Sequence, residues 1–186
     1  VNKRLILASA SPRRHELLSQ MGLRFEVFPP QVDEDLQGPP GQVVVALAQR
    51  KAGAVAARFP EDAVLAADTL VAVDGQVLGK PDDLDDARRM LRLLSGLWHE
   101  VHSGVCLQVG QEAESAHAVT RVKFVSMTED EIQAYCDSGE PMGKAGAYAI
   151  QGLCGMYIEQ IEGSYTNVVG LPTALVRMML KNKKLL

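Results

Sequence analysis

The sequence predicts a mixed α/β fold: one elongated sheet flanked by helices, set in two lobes around a cleft. Strand-like and helix-like segments alternate from one end of the chain to the other. Past Arg4, the early strands at 4–8 and 63–67 are apolar, as buried strands are, whereas 101–109 and 116–125 read as a longer antiparallel pair. No internal repeat, low-complexity stretch or linker interrupts the pattern, so residues 1–186 are read as a single domain.

The elements follow in order. Residues 4–8 form a strand, then a Ser-rich turn leads to a helix over 12–21. Pro12 suits the first helical position because it has no N–H to leave unpaired and its φ is already set. Ser11 is then the natural N-cap, and Gly22 stops the helix. A second strand, 24–28, runs into a Pro- and acid-rich loop at 29–41. A long helix covers 42–58, and a buried strand, 63–67, meets Asp68-Thr69. Strands 70–73 and 76–78 flank Asp74-Gly75, a strong hairpin signal. Residues 85–94 are helical, with acids in the first turn and Ala87, Met90, Leu91 and Leu94 on one stripe. After the long strand pair, Thr128 and Glu131 make a capping box that opens a helix to Ser138. The Gly-rich segment 139–155 leads to a strand over 156–161, a turn at Glu162-Gly163 and the segment 165–169. A closing helix covers 172–180, and the basic tail 181–184 suits a helix C-terminus.

Composition excludes several classes. With 47% hydrophobic and 23% charged residues, the chain has the make-up of an ordinary globular protein and is long enough for a substantial core. A net charge of −4 counts against bulk nucleic-acid binding and makes any local basic cluster stand out. No leader-like segment precedes the first strand and no apolar run is long enough to span a bilayer, so a cytoplasmic protein without a membrane partner is expected. Cys106, Cys136 and Cys154 are odd in number and widely spaced, which fits reduced thiols.

The most informative stretch is 5–18. A helix macrodipole favours acids in the first turn, yet here Arg13 and Arg14 occupy it. Either both point into water at a small penalty, or they converge with free N–H groups and the Ser9 and Ser11 hydroxyls on a phosphate-like anion. Asp68 ends an otherwise apolar strand, where α/β sheets tend to present catalytic groups; a turn-capping aspartate is the alternative. Lys51 falls on the apolar face of the long helix, with Val44, Leu47, Ala48, Ala52 and Val55. It either snorkels to water or reaches anions. Lys80, between Gly79 and Pro81, is a phosphate contact or a solvated turn lysine, and the P-loop spacing is absent. Asp33, Glu34 and Asp35 offer hard oxygen ligands that, with Asp68, suit Mg²⁺ or Mn²⁺, although such runs are more often solvated loops. His99 and His102 lack metalloprotease spacing and would leave opposite faces of a strand, so all four histidines are read as structural or surface residues. The small residues of 143–152 let a backbone approach a ligand, with Gln151 placed to read donors and acceptors; a tight structural turn is the other reading.

Six blocks in register carry a resemblance. They are Leu7-Ala-Ser-x-Ser-Pro-Arg-Arg-x-Glu-Leu-Leu18, Asp33-Glu34, Ala67-Asp-Thr69, Gly79-Lys-Pro81, Lys144-Ala-Gly-Ala-Tyr-x-Ile-Gln-Gly152 and Gly163-Ser-Tyr-x-Asn-Val-Val-Gly-Leu-Pro172. Over essentially the whole chain this resembles the Maf family of nucleoside triphosphate pyrophosphatases. The resemblance implies a fold related to inosine-triphosphate pyrophosphatase, with a central cleft. It also implies hydrolysis between the α- and β-phosphates with a divalent cation, and a homodimer. It marks Asp68 as proton acceptor, Arg13, Thr69 and Gln151 as substrate-selecting, and Ser9, Arg14, Glu34, Lys51 and Lys80 as polar lining. Asp33 stands where Glu is common, and Cys154 sits among family glycines.

The resemblance extends to a branch. Enzymes of the 7-methyl-GTP branch insert Trp before the arginines, carry Asp-Gln for Asp-Thr, and end the Gly-rich block in Ser-Glu-Gly. Pro12-Arg13, Asp68-Thr69 and Gln151-Gly152 instead resemble the dTTP/UTP branch. A neutral Gln both donates and accepts toward a pyrimidine edge, whereas Glu suits the donor-rich edge of guanine. The competing readings are a 7-methyl-GTP pyrophosphatase, a nucleotide-sensing cell-division regulator without turnover, and a nucleic-acid binder using Arg13, Arg14 and the 181–184 tail. Net negative charge and the lack of interleaved aromatics count against the last.

Overall fold

The computed structural model describes residues 3–186. Strands β1 (Leu5–Ala8), β2 (Glu26–Val27), β3 (Ala63–Val73), β4 (Gln76–Leu78), β5 (Trp98–Val109), β6 (Glu112–Phe124) and β7 (Ile158–Glu162) form one sheet. Its order is β2-β1-β3-β5-β6-β7, with β4 paired to β3. Helices α1 (Pro12–Gln20), α2 (Pro40–Ala56), α3 (Leu84–Leu94), α4 (Glu129–Asp137), α5 (Tyr165–Val169) and α6 (Thr173–Asn182) flank it, with 3₁₀ turns at Ala145–Ala147 and Leu153–Tyr157. The predicted mixed sheet flanked by helices is therefore present.

The chain divides into two compact units. The first holds residues up to Asp68, Ser103–Ala118 and Gly170–Leu186. Within it β1 pairs in parallel with both β2 and β3, Ile6 lying opposite Val64. Parallel strands need crossovers, and α1 and α2 supply them. Ala48, Ala52 and Val55 of α2 pack with Ile6 and Ala8 of β1, Val64 and Ala66 of β3 and Cys106 of β5 in one buried cluster. Small side chains let the helix lie close to the sheet. At Gly104 on β5 the approach is close enough that any Cβ there would run into the Val44 carbonyl group of α2. This seating fixes the height at which Lys51, one turn beyond Leu47, meets β3.

The second unit holds Thr69–His102 and Val119–Val169. Asp74 and Gly75 both have positive φ, 46° and 74°, as the mirror-image hairpin turn between β3 and β4 requires. Asp83 caps α3, its side chain accepting from the Asp86 N–H at 2.8 Å, and the predicted stripe Ala87, Met90, Leu91 and Leu94 is buried. The capping box forms in full: Thr128 accepts from the Glu131 N–H at 3.3 Å and Glu131 from the Thr128 N–H at 2.7 Å. Asn167 of α5 is fully buried and donates to the Val101 carbonyl at 3.1 Å and the Thr120 hydroxyl at 3.0 Å, tying α5 to β5 and β6.

Two expectations need correction. The strand at 63–67 does not end at Asp68-Thr69; β3 runs unbroken from Ala63 to Val73. Aspartate is depleted in strand interiors, but Lys51 neutralises this one and the strand continues past it. The second strand is also shorter than 24–28, because only Glu26 and Val27 pair with β1.

Candidate active site

The first unit gathers six of the residues singled out from sequence: Ser9, Arg13, Arg14, Glu34, Lys51 and Asp68. Lys51 lies on the buried stripe of α2 and is only 6% exposed. Its Nζ donates to Asp68 Oδ1 at 2.8 Å and sits 3.0 Å from Glu34 Oε2. The lysine therefore does not snorkel to water. It bridges a buried carboxylate on β3 and a half-exposed one on the 29–39 loop, and a buried charge is tolerable only when so paired.

The loop is fastened by a neighbouring contact that sequence reasoning missed. Arg50 donates to the Asp33 carbonyl at 2.5 Å, and Asp33 Oδ1 accepts from the Asp35 N–H at 2.9 Å. Consecutive residues of α2 thus hold consecutive residues of the loop: Arg50 takes Asp33 and Lys51 takes Glu34.

Pro12 occupies the first turn of α1 as expected, and no acid stands there. Ser11 holds the N-cap position with extended backbone, but its side chain makes no capping hydrogen bond. Ser9 acts instead, its hydroxyl accepting from the Ser11 N–H at 3.1 Å and from Arg14 Nη1 at 3.5 Å. Arg14 Nε donates to the Gly170 carbonyl at 2.8 Å, so the guanidinium is aimed from two sides and does not extend freely into water. Burial draws the Arg14 pKa below the usual arginine range; Asp68 and Glu34 act in the opposite direction and Arg13 in the same one. It remains a cation at any physiological pH. Gly170 is a second missed contributor. It lies in the 163–172 block, but a role played by a main-chain carbonyl leaves no side-chain signal.

Thr69, Lys80 and Gln151 belong to the second unit. Thr69 is half-buried on β3, while Lys80 and Gln151 are exposed. The Gly79 carbonyl accepts from the Gly146 N–H at 3.0 Å, joining the Gly79-Lys80-Pro81 exit to the Gly-rich block. Gly146 packs on Val71, where a Cβ would come within 2.8 Å of the valine side chain. His99 and His102 are buried structural residues: His99 Nε2 meets the Tyr148 hydroxyl at 2.7 Å, and His102 Nε2 meets Glu100 at 2.9 Å. Among the described residues no helix is long and apolar enough to cross a membrane, and all three cysteines are free and buried.

Fold and site together define a mixed α/β protein whose lysine-bridged carboxylate pair stands in one unit with an anchored guanidinium. The chain belongs to the Maf-like protein family, whose model matches residues 4–183. It is 49% identical over 183 residues to the dTTP/UTP pyrophosphatase of Pelotomaculum thermopropionicum, covering 96% of each chain. Against the dTTP/UTP pyrophosphatase of Symbiobacterium thermophilum it is 52% identical over 172 residues, 91% of this chain and 89% of the other. The corresponding protein of Acinetobacter baylyi is 43% identical over 180 residues, 96% of this chain and 98% of the other. Among solved structures, the Staphylococcus aureus Ham1 protein shares the fold, with a TM-score of 0.57 at 13% identity over 97% of this chain and 100% of that one.

Proposed function

We propose that this chain is a nucleoside triphosphate pyrophosphatase that hydrolyses dTTP and UTP, and modified pyrimidine nucleotides, between the α- and β-phosphates as nucleotide-pool house-cleaning. The observation that carries the reading is the Asp68–Lys51–Glu34 bridge in one unit with Arg14 held by Ser9 and Gly170. The names of the relatives and the residues Arg13, Thr69 and Gln151 support the pyrimidine branch over 7-methyl-GTP. The family match spans residues 4–183, which supports treating the chain as one catalytic domain.

Asp68 and Glu34 both reach one cationic centre, at 2.8 and 3.0 Å. Two hard oxygen donors fit Mg²⁺ or Mn²⁺, which bind through one or two carboxylates and complete their shells with water and phosphate oxygens. Among the described residues no cluster of three or more His, Cys, Asp or Glu side chains could hold a metal ion. When bound, such a cation neutralises triphosphate charge.

Asp68 takes the proton of the attacking water as its oxygen bonds to the α-phosphorus. The bond from that phosphorus to the α–β bridging oxygen breaks, and pyrophosphate leaves with the electron pair. Arg13, Arg14 and Lys51 hold phosphate oxygens and stabilise the charge that develops on the leaving group. A panel of nucleoside triphosphates with Mg²⁺ or Mn²⁺, scored for pyrophosphate against orthophosphate, tests the reading. Pyrophosphate from UTP and dTTP is expected. Orthophosphate from every nucleotide would overturn the bond assignment, and 7-methyl-GTP as best substrate would overturn the branch.

A further inference from the structure

Gln151 is exposed and lies between two 3₁₀ turns, outside any strand or longer helix. Its main chain is nevertheless held on both sides by one pair of side chains. Ahead of it, the Ala149 N–H donates to the Tyr135 hydroxyl at 3.2 Å. Behind it, the Leu153 N–H donates to Glu140 Oε2 at 2.9 Å and the Cys154 N–H to Oε1 at 3.4 Å. The pair is closed on itself, the Tyr135 hydroxyl donating to Glu140 Oε1 at 2.8 Å. Between the two anchors the Gly152 N–H returns to the Ala149 carbonyl at 3.1 Å, so the segment is a tight turn with Gln151 inside it.

Gly152 belongs to the same device. A Cβ on it would overlap the Glu140 carboxylate, so the glycine beside Gln151 is there to let that carboxylate in. Lys144 fastens the start of the loop by donating to the Glu140 carbonyl at 2.6 Å. Tyr135 and Glu140 stand at and just beyond the end of α4, a capped helix packed against α3, which gives the pair a rigid base.

A carboxamide carries a donor and an acceptor side by side, and it can read a base edge only from a fixed place, which a main chain held on both sides supplies. Uracil and cytosine carry reversed donor and acceptor patterns on the same ring edge. We propose that Tyr135 and Glu140 are positioning residues for base selection, holding the Gln151 turn so that its side chain distinguishes uracil from cytosine. This rests on the reading of Gln151 as a base-contacting residue. The hydrogen bonds of the pair go to main-chain groups of this turn, so loosening it is expected to change discrimination between bases and not the chemical step.

The test measures kcat and KM for UTP and CTP in the chain carrying Glu140→Gln or Tyr135→Phe, each alone and with Gln151→Ala. Each single variant is expected to lower the UTP-to-CTP ratio of kcat/KM by about tenfold or more, with the loss falling on KM for UTP. Neither variant lowers the ratio further once Gln151 is alanine. If Gln151→Ala collapses the ratio while both single variants keep it, the positioning role is overturned and the Gln151 reading stands. If Gln151→Ala leaves the ratio at its wild-type value, the Gln151 reading fails and the positioning role falls with it. Equal losses of kcat for both nucleotides with the ratio preserved would mark Tyr135 and Glu140 as structural only, and overturn the proposal.

Discussion

Lys51 Nζ stands 2.8 Å from Asp68 Oδ1, and both residues are 6% exposed. The pair links the one carboxylate that interrupts an apolar strand to the one lysine that interrupts an apolar helix face. Each residue explains the other's presence in the core.

Removing one partner of this pair is expected to be costly. Lys51→Met leaves Asp68 as a buried carboxylate without its cation, at a cost of about 3–5 kcal/mol. Urea unfolding compared with wild type measures it. A loss under about 1 kcal/mol would mean that Glu34 and Asp68 are held by other means.

Asp68→Asn keeps the shape and an acceptor for Lys51 but removes the charge proposed to accept the proton. Pyrophosphate release from UTP should fall by roughly 10²–10⁴-fold. Calorimetric binding of a non-hydrolysable UTP analogue should stay within a few-fold of wild type. Wild-type turnover in this variant would move the base elsewhere.

Arg14 uses its Nε on Gly170 and an Nη on Ser9, a forked arrangement that lysine cannot copy. Arg14→Lys should lower kcat/KM by about tenfold or more, in line with the loss of a charge-assisted hydrogen bond. The same assay on Ser9→Ala should show a smaller loss in the same direction.

Burial pushes the His99 imidazole down to about 3 from its ordinary 6.5. Because the folded value is the lower one, protons bind the unfolded chain preferentially as pH falls below about 6.5. Stability is therefore lost from there down toward about pH 3, at a limiting slope of about 1.4 kcal/mol per pH unit from this residue. Unfolding curves at pH 7 and pH 5 should show a steeper acid loss in wild type than in His99→Gln. Equal slopes would show that His99 does not carry the dependence.

Much of the architecture was legible in local sequence because local physics sets it. Pro12 at the first turn of α1, the Asp74-Gly75 hairpin, the Thr128–Glu131 capping box and the α3 stripe depend on residues a few positions apart. Where a strand would end was less legible: Asp68 looked like a terminus and proved to be an interior position. The site residues were found as separate blocks, and the resemblance supplied roles that spacing alone left open.

By itself, then, the sequence determined the order of strands and helices, the family, and which polar residues break otherwise apolar elements. Only the tertiary structure decided their partners. Lys51 was suspended between water and anions until packing of α2 against the sheet set it between Asp68 and Glu34. Gly170 and Arg50 entered through main-chain carbonyl contacts, and Tyr135 and Glu140 through backbone N–H groups. The physical reason is common to all of them. Such contacts join residues distant in the chain or use groups that every residue carries, so neither periodicity nor residue type announces them.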